Sequence, residues 1–200
     1  MKNNTKTSMI LSTTTIALLV VMLTPNAAFA STPWYGGSAL PNGDAGFWFH
    51  CTSLNVLNVD GDTTDNCTKV QSKVGAAMVT YNNLGNSIDY YNTPTFTDHW
   101  VYATNLGLFG NSAEATYPNI DDGYVRFNNL RSFGTTGGCQ TTLGITYAYN
   151  LQWLSHHELG HSAGLLHAPQ TDTSTMVPTC KSTWSTVQTQ DDSVLDSHYP

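Results

Sequence analysis

Four of the chain's seven histidines fall within twelve residues, in the stretch HHELGHSAGLLHAP that begins at His156. His157 and His161 are four residues apart, so on a helix they share one face, a turn above each other. Two imidazole nitrogens placed that way can bind one zinc ion at about 2.0–2.1 Å each. Glu158 stands one step further round, beside such a metal and not on it, where a carboxylate can act as general base toward water. A catalytic zinc takes a third protein ligand and keeps one position open. Gly164 comes three residues after His161, and a glycine in the left-handed region ends a helix and turns the chain back. His167, three residues past that bend, can then approach the same ion. His156 points about 100° away from His157 on a helix, which suits a supporting or surface position rather than ligation. His50, His99 and His198 are isolated and read as structural.

These ligands need a helix to carry them and a framework to hold it. The chain is expected to be helical from about Thr142 through His161. Upstream, apolar residues Val70, Val74, Ala77, Met78 and Tyr81 recur at three- and four-residue steps, which predicts an amphipathic helix over residues 66–81 with Asp65 as its cap. Strands are expected over 46–56 (GFWFHCTSLNV), 99–106 (HWVYATNL), 114–117 (EATY) and 123–128 (GYVRFN). In the last of these Tyr124 and Arg126 share one face, and Val125 and Phe127 the other. Residues 31–45 read as an irregular arm, and 58–65 as a turn. Its Asp60, Asp62 and Asp65 do not meet the EF-hand pattern, so they are read as solvated. Residues 132–139 read as a Gly/Thr loop, and 189–199 (TQDDSVLDSHY) as a closing helix whose Asp191 and Asp192 suit the positive end of its dipole. Tyr90-Tyr91 and Trp34-Tyr35 are assigned to packing.

At 200 residues the chain is long enough for one domain with a core, and no repeat or linker divides it. Lys2 and Lys6, the apolar run 16–23 (IALLVVML) and Ala28-Phe29-Ala30 form a secretory signal peptide over residues 1–30, with the domain spanning 31–200. The apolar run is too short for a membrane span, which needs about 20 residues. Beyond residue 30 five basic residues face fourteen acidic ones, a net charge of −9. So acidic a chain, with no basic cluster, argues against nucleic acid or an anionic membrane as partner. Export makes disulfides the default for Cys51, Cys67, Cys139 and Cys180. Of three possible connectivities, Cys51–Cys67 with Cys139–Cys180 is favoured by closeness in sequence, the second pair closing a loop around the histidines. No C-x-x-C spacing supports zinc ligation by cysteine.

The string His157-Glu158-x-x-His161-x-x-Gly164-x-x-His167 resembles the extended zinc signature of the metzincin metalloproteases. Ser174-Thr175-Met176-Val177-Pro178 looks like the methionine turn that lies beneath the zinc in that family. Among metzincins the chain is most similar to the matrixins, and the resemblance extends over residues 46–199. It implies an α+β zincin fold: a twisted mixed sheet, an active-site helix and a C-terminal helix. It also implies a secreted, monomeric zinc endopeptidase with Zn2+ on His157, His161 and His167, Glu158 as the catalytic base, and a protein or peptide substrate extended along the strand at 114–117. Pro178 stands where astacin-like and serralysin-like relatives carry an extra tyrosine ligand. No P-R-C-G-type segment lies between Ala30 and the first strand, so a zymogen held by a thiolate is not expected.

Overall fold

A computed structural model describes residues 32–37, 39–95, 99–118, 123–142, 145–180 and 186–200. The leader expected over residues 1–30 lies outside them. In chain order the elements are β1 (Asp44–Phe49), α1 (Cys51–Leu54), β2 (Asn58–Val59), α2 (Cys67–Asn82), β3 (Asp89–Asn92), β4 (His99–Thr104) and β5 (Ala113–Ala115). They continue with β6 (Gly123–Asn128), β7 (Ser132–Gly134), β8 (Gln140–Thr142), β9 (Ile145–Asn150), α3 (Leu151–Ala163) and α4 (Thr189–His198).

Five strands form one sheet in the order β3-β1-β4-β6-β5, parallel except for the edge strand β5, which runs antiparallel to β6. A second sheet has the order β2-β7-β9-β8. Alternation decides which face of the large sheet is covered: Phe47, Val101, Val125 and Phe127 are buried, while Trp48, Trp100, Tyr124 and Arg126 point the other way and stay half-exposed. Helix α2 packs on β3, α3 on β5 and β6, and the two helices on each other. Val70, Val74, Ala77, Met78 and Tyr81 are the buried stripe of α2, as their spacing predicts. The result is a mixed α/β architecture with a mostly parallel sheet.

Three expectations are corrected. The strand expected over 46–56 ends at Phe49. His50 then starts α1, its carbonyl accepting from Ser53 and Leu54 N–H groups, and the bond from Cys51 to Cys67 ties α1 to the first turn of α2. The loop expected over 132–139 contains β7, a strand too short to show a period of two, fixed by parallel pairing with β2 and β9 around the buried Phe133. The helix expected from Thr142 begins at Leu151. The residues before it are rich in β-branched and aromatic types (ITYAYN) and form β9, and Asn150 caps the helix by accepting from the Trp153 N–H at 2.7 Å. Two strand ends also move, to Thr104 in β4 and to Ala115 in β5.

The turn over 58–65 is present, though β2 takes its first two residues. Its carboxylates are occupied by the protein: Asp60 accepts from the Thr135 N–H and hydroxyl, which hold it below the usual carboxylate range, and Asp62 from Thr64 and Lys69. Asp65 takes a positive φ of 53° and does not cap α2; the Cys67 N–H is met instead by Asn55 Oδ1. Both disulfides join the expected partners, Cys51–Cys67 and Cys139–Cys180. No helix among the described residues is long and apolar enough to cross a membrane.

Candidate metal centre

Helix α3 is buried on nearly every side; of its thirteen residues only Gln152 is partly exposed. Polar groups in such a helix must find partners or a task, because an unmatched buried one is costly. Ser155 and Ser162 spend their hydroxyls on the carbonyls of Leu151 and Glu158. His156 pairs Nδ1 with the Gln152 carbonyl and lies buried beside Tyr81, whose hydroxyl donates to its backbone oxygen. It belongs to the packed seam between α2 and α3, not to the surface. Burial pushes its pKa down to about 4, so it is neutral there. Tyr90 performs the same service from β3, donating to the Leu159 carbonyl, which places it in the core as expected.

The other three histidines converge. His167 Nε2 lies 3.2 Å from His157 Nε2 and 3.2 Å from His161 Nε2. The Nδ1 atoms of the two helical residues face carbonyl oxygens, His157 that of Thr175 at 2.9 Å and His161 that of Leu165 at 2.7 Å. A carbonyl can only accept, so each Nδ1 carries the proton and each Nε2 presents a lone pair. Lone pairs facing one another at this range repel unless a cation or a proton sits among them. One proton on His167 serves one neighbour at a time, whereas a metal serves all three. Nitrogen ligands at tetrahedral angles on zinc lie about 3.3 Å apart, which matches. Burial lowers the pKa of all three rings, so they are neutral, ligand-ready imidazoles. They are the only such group of His, Cys, Asp or Glu side chains among the described residues.

Backbone geometry brings His167 to the other two rings. Gly164 has φ 107° and ends α3, and the Leu165 N–H closes back on the Gly160 carbonyl. The N-terminal arm straps this bend: Tyr35 N–H donates to Gly164 O, Leu166 N–H to Pro33 O, and the Trp34 ring covers Gly164. Trp34 in turn stacks on His198, and Tyr35 on Tyr117, so both act in packing.

Beneath the helix, Met176 is fully buried and fits against Gly160; a Cβ there would meet Met176 Sδ at 2.4 Å and Tyr81 Oη at 2.8 Å. Gly160→Ala is therefore expected to cost about 1–3 kcal/mol of stability, read as a lower denaturant midpoint with an unchanged m-value. An unchanged midpoint would show that Met176 gives way freely.

Glu158 is 3 % exposed, and its Oε2 is buried without a hydrogen-bond partner. Burial, with a smaller contribution from Glu114, raises its pKa to about 8. It opens onto a cleft of about 490 Å³ that also receives His157, His161, His167, Glu114 and Tyr117. The cleft runs along β5, the free edge of the five-stranded sheet. Glu114 is held there by Arg126 at 2.7 Å. The four expected site residues thus meet at one place, while His156 is excluded from it.

Three contributors escaped the sequence reading. Tyr117 sets its ring edge-on against His161 with centroids 5.5 Å apart, and Trp153 lies 5.0 Å from His157. Trp153 was open to discovery, since it sits four residues before His157 on one helical face. Asp191, read as a dipole partner, reaches across the fold to hold the segment under the helix. No protein-family model matches the chain, and no curated protein matches it.

Proposed function

We propose that the protein is a secreted zinc endopeptidase of the metzincin type, matrixin-like in its ligand set and its methionine turn. The observation that carries this reading is the convergence of three Nε2 lone pairs in one cleft with a buried carboxylate that has an unpartnered oxygen, the cleft following a strand edge. The strand order, with a single antiparallel strand at the edge nearest α3, supports a zincin-type fold. The two disulfides suit an oxidising compartment and agree with the proposed leader.

His157, His161 and His167 would hold the ion, with Thr175 and Leu165 carbonyls fixing two of the rings in the ligating tautomer. Zinc bound there supplies a Lewis acid that polarises the scissile carbonyl and the attacking water. Glu158 takes the proton from that water and delivers it to the departing amine. The outer edge of β5 offers unpaired N–H and C=O groups to an extended peptide, which fixes substrate direction and register.

Incubation of the purified protein with casein, with and without a chelator, tests the reading. Cleavage lost on chelation and restored by added zinc is the expected result. Absence of cleavage by the zinc-loaded protein, or cleavage indifferent to the chelator, would overturn it. Chelation should also lower the melting temperature; occupancy at a thousandfold excess over Kd corresponds to about 4 kcal/mol.

A further inference from the structure

The cleft is lined by an arginine whose hydrogen-bonding capacity the protein uses only in part. Arg131, in the turn between β6 and β7, lines it half-buried. One N–H of its guanidinium donates to the Gly110 carbonyl at 2.9 Å, and its Nε is buried with no hydrogen-bond partner. It also lacks an acidic partner, since the ion pairs among the described residues are Lys69–Asp62 and Arg126–Glu114. Trp153, also on the cleft wall and 3 % exposed, has its indole N–H buried and unmatched.

A guanidinium has five N–H groups in a fixed fork shaped for a carboxylate. Leaving such a charge half-buried and unpaired is costly unless a ligand completes it. The rest of the wall sharpens the point. Arg131 is the only Lys or Arg on the cleft among the described residues. Of the two acids there, Glu114 is already cancelled by Arg126, and Glu158 stands beside His157 at the metal end. The Gly110 contact ties Arg131 to the loop just before β5, so the spare positive charge lies along the path of a peptide paired with that strand.

We propose that Arg131 selects substrates carrying an aspartate or glutamate side chain near the scissile bond. This deepens the peptidase reading and rests on it. The protein is acidic overall, so the preference comes from local placement and not from general attraction.

The test uses pairs of fluorogenic peptides that differ only in Glu against Gln, or Asp against Asn, at each position around the cleaved bond. One position should favour the acid by on the order of 10- to 100-fold in kcat/KM, chiefly through KM. In Arg131→Gln that ratio should fall to near one, and Arg131→Lys should restore part of it. Because the ratio is taken within each variant, a general loss from loosening the Gly110 loop cancels. A wild-type ratio near one at every position, or a ratio that survives in Arg131→Gln, overturns the inference while leaving the peptidase reading intact. If no peptide is cut, the peptidase reading fails. The inference is then read by fluorescence anisotropy of labelled acidic and amide peptides on the zinc-loaded Glu158→Gln protein. Equal affinity, or no binding of either, overturns it.

Discussion

Glu158→Gln is expected to retain its metal and its melting temperature while hydrolysis falls by two to four orders of magnitude, the usual worth of a positioned general base. The side chain is 3 % exposed, so packing surrounds it, but the substitution is nearly isosteric and breaks no hydrogen bond at the unpartnered Oε2. Glu158 is not one of the three residues whose ring nitrogens could hold a metal. What disappears is a group able to take a proton from water and give it up again, because an amide does neither. Metal content and residual peptide cleavage, measured on the same preparation, decide the matter. Retention of the wild-type rate would place the base elsewhere and remove the central residue of the proposed mechanism.

Asp191→Ala is expected to cost several kcal/mol, since a buried donor left without its acceptor costs about 1–3 kcal/mol. Its carboxylate is fully buried, and no ion pair joins it to a cation among the described residues. Four donors replace the lost water: the Thr32 hydroxyl at 2.6 Å, the Ser174 hydroxyl at 2.5 Å, the Thr175 N–H at 2.7 Å and the Gln188 N–H at 3.3 Å. Removing it orphans the Ser174, Thr175 and Gln188 donors at once and leaves Thr32 only its contact with the Ser174 hydroxyl at 3.2 Å. The damage also travels, since Thr175 is the residue whose carbonyl orients His157. Zinc affinity should therefore fall about tenfold or more, as it does when outer-shell partners of a ligand are lost. Denaturant unfolding and zinc competition against a chromophoric chelator would measure the two effects. A stability change under about 1 kcal/mol with unaltered zinc affinity would refute the linkage.

Sequence alone was informative wherever one short stretch contains its own explanation. The ligand positions follow from four-residue spacing and a helix-ending glycine, and the α2 stripe from its three- and four-residue steps. The β6 faces follow from alternation, and the C-terminal helix from its polar start. The failures share a physical cause: they depend on residues far away. Strand β7 exists because β2 and β9 flank it, and nothing within Ser132–Gly134 announces that. The start of α3 is hidden in the sequence because β9 passes into it with no intervening turn, and one Asn150 side chain marks the border. Asp191 carried an apparently sufficient local reason for its position, which hid its reach to the methionine turn. Arg131 gave no signal at all, since a single arginine in a turn acquires meaning only from what fails to pair with it.

The strap across Gly164 bears on when the metal site can come into being. Thr32 is bonded to Ser174 and Asp191, the Leu40 N–H to the Tyr199 hydroxyl, and that hydroxyl to the Ala163 carbonyl. Each of these ties joins segments far apart in sequence, so the chain must close very long loops before the bend below His161 is secured. The site is thus a late product of folding. During synthesis a chain that has exposed its histidines but not yet residues 191–199 has the three imidazoles without the frame, and a site built this way stays incomplete until its last helix docks.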